Sequence, residues 1–323
     1  MAACTGLGEV GTNQTGAKSR GLHLHTTLAI STGRLPLGVL RAQCLAPEPK
    51  APEDKRPVFA IPIEEKKTFP WVEHHRDMAA VAAEMPHTGL IDVCDREADF
   101  FEMFDEQRRD RSVELLVRAK HNRNIAEDPF KLWEAVRQTP VRSQVRVRIP
   151  RQSARPKKSK QQARAKRPAR NADLTVRFMR VQLRPVHYHA GKAPIDIWVI
   201  HAREENPPPN TEAVEWFLLT TIDLGSPEDA EQCLRWYCLR WRIEDCHRVL
   251  KFGCRTESIA HETAERVRRA IAINLVIAWR TMLMTLLGRE TPDLPAKVLF
   301  SDVELQTLRA YAKKQSEAAR AAE

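Results

Sequence analysis

Three absences frame this 323-residue chain. No aspartate occurs among residues 1–20, where Glu9 is the one acid, and no acid interrupts residues 151–170. No two cysteines stand at the spacing of a zinc ribbon or a redox pair. The seven are scattered and odd in number, at Cys4, Cys44, Cys94, Cys233, Cys238, Cys246 and Cys254. Such a set excludes a disulfide framework and suits reduced thiols in a cytoplasm. The first stretch, MAACTGLGEVGTNQTG, shows no basic segment followed by an apolar run, so a secretory signal is not expected. Long apolar runs are also missing. The longest, residues 270–287, is interrupted by Asn274 and Arg280 and is at the short end for a bilayer span. It reads as a buried helix, and no membrane partner is expected.

What is present is cationic. The formal net charge is +10, with 42% hydrophobic residues. That content supports a core, in one large domain or two smaller ones. The basic excess suits a polyanion, DNA above all, although an acidic membrane surface would attract it too.

The segment GLHLHTTLAIS, residues 21–31, and the segment 35–42 flank a Thr-Gly turn and read as an antiparallel hairpin. Residues 46–59 are rich in proline and charge, hence a loop. Helical periodicity runs over 68–85, then a short strand over 90–94 between Gly89 and Asp95, a helix over 97–109 and a strand over 113–117. This alternation predicts a mixed α/β sheet. Period-two patterns follow at 145–149, 174–178 and 195–199. WFLLTT, residues 216–221, reads as a buried strand, a long helix as 263–287, and the remainder as a short helix with a polar tail.

The stretch WYCLRWRIEDCHRVLK, residues 236–251, has no Gly or Pro and predicts one continuous helix. At about 100° per residue, Trp236, Leu239, Ile243, Cys246 and Leu250 form a core stripe. Tyr237, Arg240, Glu244 and Lys251 form a second, polar stripe. A carboxylate there can ligate a hard metal ion, and Arg, Lys and Tyr can hold phosphate oxygens. An ordinary solvated face explains the same pattern.

The spacing Tyr237-x2-Arg240-x3-Glu244-x6-Lys251 resembles the YREK signature of bacterial DDE transposases of the insertion-sequence-four family. VCDREAD, residues 93–99, resembles that family's block around its second catalytic aspartate. KRPARNADL (166–174), NPPP (206–209) and WFLLT (216–220) follow in the family's order. The resemblance covers residues from about 21 to about 288. It implies a ribonuclease-H-like α/β sheet, with its first strand missing, an inserted β-rich subdomain and a helical C-terminal part. The corresponding divisions are 1–120 and 216–260 for the two parts of the core, 121–215 for the insertion, and 261–323 for the C-terminal helices and tail.

The resemblance also implies chemistry. Asp95 and Glu244 would be the second and third acids of a catalytic triad and would hold Mg2+ or Mn2+. Asp95 equally suits an N-cap of the following helix, and Asp92 and Asp99 are weaker candidates. Tyr237, Arg240 and Lys251 would position a phosphate, and Arg96, Arg118 and Lys120 fall where the family has further DNA contacts. Trp216 is either core or, as in the family, a platform for a base flipped from the transposon end. The run 151–170, with Lys157, Lys158, Lys160, Arg167 and Arg170, would neutralise phosphates from a hairpin-like arm, or else only keep the chain soluble.

The triad's first aspartate is expected before residue 21, on the strand that the resemblance finds missing. The chain would then be a truncated product, catalytically inactive alone. Its partners would be DNA at transposon ends and, as a dimer on DNA, itself or an intact transposase. A nucleoid-associated place in a bacterial cytoplasm follows. Two other functions fit the residues: a non-catalytic DNA-binding or inhibitory remnant, and a different metal-dependent nuclease.

Overall fold

A computed structural model describes residues 4–12, 18–47, 53–126, 129–151, 154, 166–186, 189 and 191–320. Two hairpins come first, β1 (Gly8–Thr12) with β2 (Lys18–Gly21), and β3 (His23–Ile30) with β4 (Pro36–Leu45). Then follow α1 (Phe69–Glu84), β5 (Leu90–Cys94), α2 (Phe101–Arg109), β6 (Val113–Arg118) and α3 (Leu132–Gln138). Strands β7 (Ser143–Ile149), β8 (Arg170–Leu183), β9 (Ile195–Glu204) and β10 (Glu215–Thr220) precede four helices. These are α4 (Pro227–Leu239), α5 (Trp241–Arg248), α6 (Ala264–Glu290) and α7 (Asp302–Arg320).

Six strands form one mixed sheet in the order β5-β6-β10-β9-β8-β7. The β5–β6 pair is parallel, joined through α2, and the others are antiparallel. The fold is therefore mixed α/β, as the alternation predicts. The β-rich segment's strands belong to this same sheet, because β10 lies between β6 and β9. That order could not be read from local pattern.

Helices cover both faces, so the inner strands are apolar on both sides. On one face Leu115, Val117, Val199, Phe217 and Leu219 pack with α1, α2 and α3. On the other, Leu116, Val176, Ile200, Trp216 and Leu218 pack against Ala230, Cys233, Leu234 and Tyr237 of α4. The local reasons are ordinary ones. Pro70 stands in the first turn of α1. Ser226 and Asp229 form a reciprocal capping box on α4, and the Thr263 side chain caps α6.

The β3–β4 hairpin is hydrogen-bonded as expected, and it lies between helices. Leu22, Leu24, Leu28 and Cys44 pack with Cys246, Leu250, Ile271 and Leu275. The opposite face meets α1. His25 stands edge-on to Trp71 at 4.6 Å, and Arg41 pairs with Glu73 and Asp77. By length and composition α6 could cross a membrane. Its Ile271, Leu275, Ala278, Met282 and Leu286 are buried in the core shared with α5 and the hairpin, but Ile273, Val276 and Ile277 on the other face are exposed, so the expected buried helix is buried on one face only.

Some expectations need correction. The helix expected over 97–109 is a short 3-10 turn at Arg96–Ala98 followed by α2. The buried Asp99 carboxylate interrupts it, accepting from the backbone N–H groups of Lys120 (2.6 Å) and His121 (3.0 Å) and pairing with Arg123. The short terminal helix is the 19-residue α7. The pair β1–β2 and helix α3 were not anticipated.

Candidate active site and nucleic-acid contacts

Asp95 follows the last residue of β5, where the chain turns out of the sheet. Its Oδ1 accepts the Glu97 N–H at 2.8 Å, so the N-cap role is real. No cation pairs with Asp95 among the described residues, which leaves it the carboxylate free to take a ligand. Asp92, on the α1 side of β5, is occupied. It lies 3.3 Å from His75 Nδ1 and accepts from the Cys94 thiol at 3.3 Å. Burial first, then Asp92, pushes the Cys94 thiol well up, so it stays protonated.

The helix expected as one piece over 236–251 is three: α4 to Leu239, α5 from Trp241, and a π turn at Val249–Gly253. The bend at Arg240 changes which residues face inward. Tyr237 lies in the core, 5.5 Å from the Trp216 ring, while Trp236, Leu239 and Ile243 of the expected core stripe are only half-buried. Glu244 remains exposed one turn beyond Arg240 and accepts from its Nη2 at 2.9 Å. Lys251, in the π turn, pairs with Glu257 at 3.0 Å rather than with Glu244. A π turn shifts the helix face by part of a residue, and such turns are frequent at functional sites.

Three arginines converge beside Tyr237. Arg118, at the end of β6, neighbours the Tyr237 hydroxyl; burial lowers its pKa, and the neighbouring charges of Arg96 and Arg240 act the same way. No carboxylate pairs with Arg118 among the described residues. Arg240 is mostly buried. Its Nε has no partner among the described residues, and its charge reaches both Glu244 and Cys94 beside Asp95. Half-buried guanidinium groups with spare donors form a site for an anion with several oxygens. Arg96 and Lys120 are exposed at its rim.

The other sequence-derived candidates fare differently. Trp216 is 4% exposed and stands against Tyr237 and Trp241, the core arrangement. Arg170 makes a two-point pair with buried Glu204, and Arg167 pairs with Glu212 at 3.5 Å. Lys157, Lys158 and Lys160 lie outside the described residues. The flanking strands β7 and β8 are paired at Ile149 and Arg170.

Sequence reasoning missed a histidine network at the same place. His74 Nδ1 and the Thr27 hydroxyl lie 2.6 Å apart, and His74 Nε2 is 3.2 Å from His25 Nδ1. His247, one turn past Glu244, reaches the Thr26 hydroxyl at 3.4 Å. Burial lowers the pKa of all three; His25 also feels the charges of Asp92 and Asp95. The signal available was the alternating His and Thr of LHTT and the adjacent pair His74-His75.

A family model described as a transposase DDE domain matches residues 80–279, which include Asp95, Arg118, Arg240 and Glu244. The chain belongs to the DDE transposase domain family. It is a transposase that acts in DNA transposition. The domain's function implies DNA at transposon ends as partner, and DDE domains generally use divalent metal ions. In this DDE domain, Asp95 and Glu244 have the hard oxygen donors that such ions take. Among the described residues no group of three or more His, Cys, Asp or Glu side chains is gathered to hold an ion. The donor chemistry of these two carboxylates fits such an ion.

Proposed function

We propose that the chain is a ribonuclease-H-like catalytic core of an insertion-sequence-four transposase, with Asp95 and Glu244 as two of its three metal-binding acids. One observation carries the reading. Arg240 pairs with Glu244 on α5, and its charge also reaches Cys94, the residue before Asp95 at the end of β5. A divalent ion held there would neutralise charge on a reacting phosphate and activate the attacking oxygen. Arg118, Tyr237 and Arg240 orient the phosphate, while Arg96, Lys120 and Lys251 extend the contact along the DNA. The run 151–170 adds electrostatic attraction, and a dimer on DNA brings two ends together.

With two acids the chain alone does not complete a two-ion site, and we expect no strand cleavage from it with Mg2+ or Mn2+. That makes a DNA-binding role without cleavage the second reading, favoured because no third acid is gathered with a metal-binding group among the described residues. The test is Mn2+ titration followed by electron paramagnetic resonance, alongside DNA binding. Asp95→Asn and Glu244→Gln should each weaken Mn2+ binding about tenfold or more and leave the DNA dissociation constant unchanged. Equal Mn2+ binding by both variants and the parent chain would remove the metal-site reading. Robust cleavage by the 323-residue chain would show that another acid completes the site, and Asp92→Asn would identify it.

A further inference from the structure

Phe252 is the most exposed large apolar side chain among the described residues, at 78%. It stands in the π turn, one residue after Lys251 and eight after Glu244. No other ring and no cation packs on it among the described residues. The turn that carries it is nevertheless anchored on both sides. Leu250 is buried with Cys246 and Leu275. Cys254 N–H donates to Val249 C=O at 3.0 Å, and its thiol lies 3.7 Å from Asn274 C=O on α6. The Thr256 hydroxyl donates to Leu250 C=O at 2.8 Å. Cations flank the ring along the chain. Arg248 and Lys251 are exposed and pair with Asp245 (2.6 Å) and Glu257 (3.0 Å). Arg255 is exposed and has no carboxylate partner among the described residues. Its backbone is left-handed, φ 52° and ψ 36°, which a side chain disfavours. The N–H and hydroxyl of Ser258 hold it there, both donating to Arg255 C=O, at 2.9 and 3.0 Å.

We propose that Phe252 is a stacking platform for an unpaired nucleobase of the DNA end, with Arg248, Lys251 and Arg255 on the flanking phosphates. An aromatic ring framed by cations is the combination that holds single-stranded nucleic acid, because every base has a π face and every linkage a charge. The pairs of Arg248 and Lys251 lie at the surface, where an ion pair contributes little, so phosphates can replace Asp245 and Glu257. Arg255 needs no exchange at all. Eight residues of helix rise about 12 Å. On DNA lying along α5 that is about three to four steps of about 3.4 Å, so the base on Phe252 is a few nucleotides from a phosphate held at Glu244. An exposed Phe can also anchor a protein partner. Such anchors sit among further apolar contacts, whereas the exposed chain around this ring is Lys251, Gly253 and Arg255. The distance to the reacting phosphate rests on the proposed role of Glu244; the stacking itself does not.

Fluorescence anisotropy on the 323-residue chain tests the platform, comparing a fully paired duplex with one whose last few pairs are mismatched. The parent chain should prefer the frayed end by about fivefold to a hundredfold, the range of one base on one aromatic ring. Phe252→Ala should abolish that preference, with affinity for the paired duplex and the melting temperature as in the parent, because the ring is exposed. Phe252→Trp should keep the preference and Phe252→Leu should lose it, since a base stacks on a π face. Tyr311→Ala, at an exposed ring on α7, should change nothing. Equal affinity of the parent for both duplexes would overturn the proposal, and so would a preference that Phe252→Leu retains. A sedimentation coefficient of the DNA-free chain that falls in Phe252→Ala would overturn it too, since it marks a protein contact. Mn2+ binding is read separately. A Phe252-dependent preference, with Asp95→Asn and Glu244→Gln binding Mn2+ like the parent, would leave the platform standing and remove the metal site; the converse would remove the platform alone.

Discussion

The hydroxyl of Tyr237, on α4, neighbours the guanidinium of Arg118, at the end of β6. A core residue thereby lies against a buried cation of the proposed phosphate site. Tyr237→Phe keeps the ring against Trp216 and removes the hydroxyl beside Arg118, so stability should fall by at most about 0.5–1.5 kcal/mol. Affinity for a short duplex should weaken by a similar energy, about threefold to tenfold. Paired urea melts and DNA titrations check this. A stability loss with unchanged affinity would make Arg118 purely structural.

Changing Lys157, Lys158 and Lys160 together to Gln should weaken binding to every duplex alike. The slope of log affinity against log salt should flatten by about 0.9 for each phosphate that the chain ceases to neutralise. Fluorescence anisotropy over a salt series measures it. An unchanged slope would assign the run to solubility.

Trp216 fills the space between Tyr237 and Trp241. Trp216→Ala should therefore cost about 3–5 kcal/mol of stability, and Trp216→Phe markedly less. A stably folded Ala variant that fails only in handling DNA ends would restore the base-stacking role.

Acid should unfold the protein through its buried histidines. Burial above all, aided by His25 and Arg41, holds His74 down at about 3, against 6.5 ordinarily. His25, His201 and His247 are lowered too, each first by burial. A depressed histidine is neutral when folded, so the unfolded chain binds more protons between the two pKa values. Its contribution is complete above 6.5 and lost as pH falls toward 3. Each such group can contribute up to about 1.4 kcal/mol per pH unit. Urea midpoints should drop between about pH 7 and about pH 5, less steeply in His74→Asn.

The readable parts of this chain are those where one local pattern decides. The His-, Thr- and apolar-rich segment LHTTLAIS and the short, mostly apolar segment LIDVC before Asp95 marked β3 and β5 correctly. Where distant contacts decide, local pattern failed. Nothing in residues 236–251 announces the bend at Arg240, because every residue there tolerates a helix. The bend goes with the packing of Tyr237 on Trp216, contributed by a different element. Asp99 breaks its helix for the backbone of Lys120 and His121, again a distant partner. The strand end at Asp95 and the helical turn at Glu244 were legible because both are local features, whereas their proposed role came from the resemblance. The histidines around them were not, since His74 acquires its role only when β3 lies on α1.

The N-terminal segment is fastened to the beginning of α6. Thr5 N–H donates to Glu262 C=O at 2.9 Å, and Ala264 N–H donates to Thr5 C=O at 2.8 Å. The following hairpin, too, buries Leu24 and Leu28 against that helix. On the ribosome these early strands have no surface to rest on until some 250 further residues have been made. At about 5–20 residues per second the wait is roughly 12–50 s. For that interval the first hairpins are exposed apolar strands, and the nascent protein is a natural client for holding chaperones until α6 emerges.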